Sequence, residues 1–366
     1  MRILSLFDGM ACGHIAFDAL EIPIERYVAY EIDKYAIKTA QHNFHDIEEM
    51  GDVFAADFSQ YQGFDWLIGG SPCTHWSIAQ TKHRETTASG IGWDLFSQYL
   101  RALRTVKPQC FLYENNKSMS PAIRAQITTE LGVEPVLINS ALVSAQNRQR
   151  LYWVGRRNPD GTYSQVVVQQ PEDRGILLRD ILETGVVWRE KGYALTTAHK
   201  TTADDMIIRH QLNGVAEPIR IGTIENDAKK QDFDSQQYRV YSPDGKAVTL
   251  CGNGGGLGAK TGLYATPVDT TVDEWTLDMP VYQVRDGCIA IKGKACLIKL
   301  RDGCYIIRKL TVIECKRLQT VPDTYAFPVS NSQAYKMLGN GWTVEVIKHL
   351  ITSALQDKEA IHCKSI

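Results

Sequence analysis

The chain has 366 residues, enough for one large domain or two ordinary ones around a sizeable core. Hydrophobic residues make up 44% and charged residues 22%, which is soluble globular composition, and the net charge of -2 argues against binding of nucleic acid through a basic tail while leaving room for a basic groove. Nine cysteines without a CxxC pair argue against zinc, so no metal is expected; the odd count and a start unlike a signal peptide point to a reducing cytoplasm, and no apolar run approaches the roughly 20 residues that span a membrane.

Taken in order, Arg2 to Phe7 reads as a buried strand and Gly13 to Leu20 as the helix after a tight turn. Tyr27 to Tyr30 is the second strand and Lys34 to Phe44 the second helix. Trp66 to Ile68 is a strand ended by Gly69 and Gly70. Asp94 to Val106 is an amphipathic helix stopped by Pro108. Cys110 to Tyr113 is a strand, and Pro121 to Leu131 a helix ending at Gly132. Repeated βα units over residues 1–157 predict an α/β fold with a doubly wound, mostly parallel sheet, whose ligands bind where strands end. From about residue 158 helical periodicity fades, so 158–306 reads as a second, smaller β- and loop-rich domain. Asp160-Gly161 and Asp244-Gly245 look like turns, and Arg285 to Cys288 echoes Arg301 to Cys304, each reading as an Asp-Gly hairpin. Residues 307–366 turn helical again, at Leu310 to Leu318 and Ser332 to Leu355, and the last helix is expected to return to the first domain.

The chemistry-bearing residues cluster at expected strand ends. Phe7, Asp8, Gly9 and Gly13 form a glycine turn, and Glu31 ends the next strand, where a carboxylate can accept ribose hydroxyls. The GxGxxG of a NAD site is absent, and a plain βα turn would read the same way. Cys73 follows Pro72 directly after a strand, a place where backbone donors lower a thiol pKa. A free cysteine is more often a small buried hydrophobe, and His75 leaves a Cys/His hydrolase open. Glu114 and Asn115 emerge at a further strand end, where a solvated cap is the bland alternative. Arg148 and Arg150 alternate at the start of the strand Leu151 to Val154, and on a central strand they would need anionic or carbonyl partners.

In this order the motifs resemble the DNA cytosine-5 methyltransferase family over nearly the whole chain: Phe7-Asp8-Gly9, Glu31, Gly51-Asp52, Ser71-Pro72-Cys73, Glu114-Asn115, Gln146-x-Arg148-x-Arg150, the run from Arg308 to Glu314, and Leu338 to Gly341. The resemblance implies the fold of S-adenosylmethionine-dependent methyltransferases, with that cofactor held by Phe7, Asp8, Gly9, Gly13, Glu31, Ile32, Asp52, Val53, Pro72, Leu95, Asn340 and Trp342. It makes Cys73 the nucleophile that attacks C6 of a flipped-out cytosine, Glu114 the group at N3 and Arg150 the group at O2, with Arg148 beside them, and it places a mobile loop from Cys73 to about Asp94. It also implies double-stranded DNA as partner, a monomer of bacterial or phage origin, a cognate restriction endonuclease as an optional partner, and 158–306 as the target-recognition domain. Within it, Tyr193 to Thr197 and Ala247 to Tyr264, with Lys260, read as recognition loops. The chain departs from the family at Met10-Ala11-Cys12, at Asn116 and at Gly341-Trp342. An RNA cytosine methyltransferase on the same scaffold and a non-catalytic DNA binder are the competing expectations.

Overall fold

The strands of the first half carry apolar side chains at successive positions, which is what a strand covered on both faces requires. The computed structural model describes residues 1–72, 75–76, 84–183 and 311–362, together with 220–223, 239–241, 263–267, 281–286, 288–291, 294–297 and 302–308. Strands β1 (Arg2–Leu6), β2 (Arg26–Tyr30), β3 (Ile47–Glu49), β4 (Trp66–Gly69), β5 (Cys110–Asn116), β6 (Val136–Asn139), β7 (Gln149–Arg157) and β8 (Tyr163–Gln165) form one sheet in the order β3-β2-β1-β4-β5-β7-β6, with β8 on β7. The β1, β2, β3, β4 and β5 pairings are parallel, and β7 inserts antiparallel between β5 and β6.

Because side chains alternate along a strand, each strand feeds two cores. Tyr27, Ala29, Trp66, Ile68, Leu112 and Val154 point to one face, covered by α1 (Cys12–Asp18), α2 (Lys34–Asn43) and the C-terminal α7 (Val344–His362). Val28, Tyr30, Leu67, Phe111, Tyr113 and Trp153 point to the other, covered by α3 (Ile91–Val106) and α4 (Pro121–Leu131). This is the doubly wound arrangement that the sequence predicts. Strand order reverses between β1 and β4, so the crevice beyond their C-terminal ends is where such a sheet binds ligands.

Local chemistry explains the element ends. Ser120 caps α4 through the Ile123 N–H with Pro121 in the first turn, and Gly132 closes it at φ 71. Helix α3 begins at Ile91, ahead of the expected Asp94, because the Glu85 carboxylate accepts the Gly92 N–H. Strand β5 runs to Asn116, beyond the expected Tyr113, because β7 pairs with it through Arg150 opposite Asn116. The expected helix Ser332 to Leu355 is two helices, α6 (Asn331–Asn340) and α7, broken at Gly341 to Thr343. Helix α5 (Val312–Leu318) starts on a capping box between Thr311 and Glu314.

The expected boundary at 157/158 falls inside the first sheet. Asn158 to Thr162 is the turn of a β7–β8 hairpin, and Val166, Leu178 and Ile181 are buried in the first core. Fully burying such side chains stabilises by about 1.5–3 kcal/mol each, which holds the chain on this body well past 157. Strands β9 (Arg220–Thr223), β10 (Arg239–Tyr241), β11 (Leu263–Pro267), β12 (Val281–Arg285), β13 (Cys288–Ile291), β14 (Lys294–Leu297) and β15 (Gly303–Arg308) form a second sheet in the order β14-β13-β12-β15-β11-β10-β9. Arg285 pairs with Cys288 across the first Asp-Gly, as a hairpin requires. The second differs: Gly303 and Cys304 pair with β12 inside β15, and β14 and β15 are not neighbours, so the second Asp-Gly is not the turn of a hairpin between them. Asp244-Gly245 and Tyr193 to Thr197 lie outside the described residues, as does Ala247 to Tyr264 except for Leu263 and Tyr264 in β11.

Candidate active site

The end of β1 turns sharply. Phe7 and Ala11 adopt left-handed φ of 59° and Gly9 of 62°, and a Cβ at Gly9 would meet open space, so the glycine answers to its backbone conformation. Gly13 answers to packing: a Cβ there would lie 2.3 Å from Ile68 Cδ1 and 3.0 Å from the Tyr27 hydroxyl, so it seats α1 against the sheet. Glu31 accepts the Gly9 N–H at 2.8 Å on one oxygen and the Ile32 and Asp33 N–H groups at 2.7 and 2.8 Å on the other, tying the β1 and β2 ends together. Asp8 turns inward and accepts from Ser5 and Tyr27, and burial pushes it up to about 6.

The sequence reading missed Glu49, the last residue of the short strand β3. Neither of its buried oxygens has a partner, and burial, with Asp8 and Glu31 nearby, pushes it up to about 8. Asp52 caps the short helix Val53–Ala55 through the Phe54 N–H at 2.9 Å, and Val53 is buried. Arg101 of α3 holds that helix from behind, donating to the carbonyls of Val53 at 2.9 Å and Ala56 at 2.8 Å. Ile32, Met50 and Phe54 are exposed along the ends of β2 and β3. Leu95 is half-buried on α3, and Asn340 is exposed at the end of α6. Unpartnered carboxyl oxygens on Asp8 and Glu49 next to exposed apolar side chains suit a ligand with cationic groups and a flat heterocycle. S-adenosylmethionine, with its sulfonium, ammonium and adenine, fits that donor set.

Cys73 and Thr74 lie outside the described residues, but their approach is fixed. Asn115 donates to the Ser71 carbonyl at 3.2 Å, and the Ser71 and Tyr113 hydroxyls bond at 2.7 Å, so the end of β5 holds the backbone that leads through exposed Pro72 to Cys73. The segment expected to be a mobile loop is anchored at its described ends. Glu85 accepts from the fully buried Trp76 indole at 3.0 Å, and Arg84 donates to the carbonyls of Trp76 and Ser118. Cys12 is buried and pushed up to about 12, which makes it a packing residue and no competing nucleophile.

Glu114 is 8% exposed at the end of β5, and each of its oxygens has a partner: Arg150 Nε forms an ion pair with Oε1 at 3.1 Å, and Trp342 Nε1 donates to Oε2 at 3.0 Å. The two expected arginines therefore find the anionic and carbonyl partners that a central strand demands, but they do different things. Arg150 faces Glu114. Arg148 donates to the carbonyls of Gly339 at 3.2 Å and Gly341 at 2.9 Å. Its backbone precedes β7 and is bonded to Asn139 and Ser140. Trp342, expected at the cofactor, meets Glu114.

Residues 1–356 match the family described as C-5 cytosine-specific DNA methylase. Among curated relatives, the chain is 27% identical to the orphan methyltransferase M.SPRI of Bacillus phage SPR, over 99% of this chain and 98% of that one. It is 28% identical to the type II methyltransferase M.HpaII of Haemophilus parainfluenzae, over 87% and 79%. Among solved structures, the fold is similar to the Dnmt2 methyltransferase of S. pombe, with a TM-score of 0.56 at 16% identity, covering 98% of this chain and 99% of that one. It is also similar to the Entamoeba histolytica methyltransferase EhMeth, with a TM-score of 0.58 at 12% identity, covering 98% of each. No helix among the described residues is long and apolar enough to cross a membrane.

Proposed function

This chain belongs to the C-5 cytosine-specific DNA methylase family and methylates cytosine in DNA with S-adenosylmethionine as the donor, and on that premise we propose that it works through a covalent bond between Cys73 and C6 of a cytosine flipped out of the duplex. The observation that carries this reading is the buried Glu114, held on both oxygens at the strand end beside the backbone that leads to Cys73.

Cytosine C5 is a weak nucleophile. The Cys73 thiolate adds to C6, and Glu114 delivers a proton to N3 that takes up the negative charge developing in the ring, leaving an enamine whose C5 is nucleophilic; positioned acid–base help of this kind is worth roughly 10²–10⁴ in rate. Arg150 holds Glu114 and lies next to where the base O2 would sit. When bound, S-adenosylmethionine supplies an electrophilic methyl group on sulfonium sulfur. Glu31 would take the ribose hydroxyls, the turn from Phe7 to Gly9 would receive the cofactor chain, and Asp52 and Val53 would meet the adenine, with Arg101 bracing them. Loss of the C5 proton then lets Cys73 leave C6. The second sheet and the segments around it would carry target recognition. The names of the curated relatives, one orphan and one type II, admit either a solitary enzyme or one with an endonuclease partner.

Trapping tests this reading. Bisulfite sequencing of DNA from cells expressing the protein gives the methylated site, and a duplex with 5-fluorocytosine at that site should become covalently attached to Cys73 only when S-adenosylmethionine is present. Fluorine cannot leave C5 as a cation, so elimination stops and the thioether survives denaturing electrophoresis. Cys73→Ala should give neither adduct nor methylation. An adduct mapped to another cysteine would reject the assignment.

A further inference from the structure

We propose that Trp342 is a positioning residue for the base-reading carboxylate: its indole N–H fixes the plane of Glu114 for attack on cytosine. This rests on the reading of Glu114 given above. The terminal torsion of a glutamate is broad and two-fold, so one donor on one oxygen leaves the carboxylate free to turn. Here two groups from two separate elements hold different oxygens, Arg150 from β7 in an ion pair at 3.1 Å and Trp342 from the connector between α6 and α7 through a hydrogen bond at 3.0 Å. Each carboxylate oxygen keeps one free site, so one oxygen can carry the proton shared with N3 of the base while the other accepts from the adjacent N4 amino group. The indole does this without adding a charge beside Arg150.

The surroundings are built to deliver the indole. A Cβ at Gly70 would lie 2.9 Å from Glu114 Oε2 and 3.4 Å from Trp342 Nε1, so the Glu–Trp contact fills the space over Gly70, three residues before Cys73. The connector that carries Trp342 is clamped on either side. Arg148 donates to the carbonyls of Gly339 and Gly341, and Gln319 donates to those of Leu338 at 2.6 Å and Gly341 at 3.2 Å. Thr343 donates to Gln319 at 2.9 Å and shares a hydrogen bond with Ser140 at 2.9 Å. Arg148 thus acts on the reaction at two removes, through the connector and Trp342.

The test removes one proton and keeps the shape. The full-length protein carrying 3-benzothienylalanine at position 342, which puts sulfur where tryptophan has N–H, is compared with the parent and with Trp342→Phe in single-turnover methylation of a duplex bearing the bisulfite-mapped site. A hydrogen bond to a charged group supports a loss of about ten- to a hundredfold in the methylation rate constant for both variants, with the Kd for S-adenosylmethionine unchanged within about twofold. Two results would overturn the proposal: the sulfur isostere at the parent rate, as a merely structural indole would give, or a loss that resides wholly in cofactor affinity. Glu114→Gln in the same assay separates the two readings. If it leaves the rate unchanged, the role of Glu114 itself falls; if it slows the reaction and the isostere does not, only the role of Trp342 falls.

Discussion

A carboxyl buried without a donor is costly when charged, and Glu49 is such a group beside Asp8 and Glu31. Its folded-state value of about 8 lies above the ordinary 4.5, so between those values the folded chain keeps a proton that the unfolded chain has lost. Stability contributed by that proton is fully present below the ordinary value and drains as pH rises through about 8. Asp8 acts with the same sign over the window from 3.8 to about 6. Glu49→Gln abolishes the Glu49 drain, so thermal melts of the free protein should show a gain over the parent that is small at about pH 5 and large at about pH 9. A gain independent of pH would mean that Glu49 is not protonated in the folded protein. Glu31 was legible from its place after a strand. Glu49 was not, because three-residue β3 carries too little periodicity to be read as a strand.

At the scale of elements, the connector between α6 and α7 joins the C-terminal segment to the Glu114 carboxylate, and Arg148 is its clamp. Lysine keeps the charge but loses the planar fork that reaches two carbonyls. Arg148→Lys should therefore lower the stability in urea unfolding by about 1–3 kcal/mol and slow methylation in step with the Trp342 variants. An unchanged midpoint together with a lost rate would instead place Arg148 on the base. The sequence predicts one helix across this connector; at the break from Gly341 to Thr343, Arg148 and Gln319 take the Gly341 carbonyl that a continuous helix would keep for itself, and Ser140 and Gln319 hold the Thr343 hydroxyl.

For the whole molecule, the packing boundary differs from the change in sequence character. A target-specificity graft cut at 158 removes strand β8 and the buried Val166, Leu178 and Ile181 from the first core. A graft of 184–308 from a relative with another site preference leaves them in place and takes β15 whole. The longer graft should aggregate or unfold early. The shorter one should fold, change the methylated sequence in bisulfite maps, and keep the parent rate of methyl transfer. An unchanged methylated sequence from a folded 184–308 graft would put recognition elsewhere.

By itself, the sequence determined the alternating βα order, the parallel sheet and the residues that gather at its switch point. These follow from local periodicity, from turn chemistry around Gly9 and Gly132, and from the order of short motifs that resemble one family. Cys73, Glu114 and Glu31 were singled out as candidates in this way, and the family match bears out the resemblance that suggests them. Tertiary structure alone decided which partner each polar group takes. Arg148 and Arg150 look equivalent as alternating residues, yet one clamps a connector nearly two hundred positions away and the other holds Glu114. Trp342 and Glu114 are likewise 228 positions apart, and Val166 to Ile181 return to a core begun at Ile3. The physical reason is range: periodicity and capping act over a few residues, whereas the partner of a buried donor is set by whichever acceptor the folded chain brings within about 3 Å.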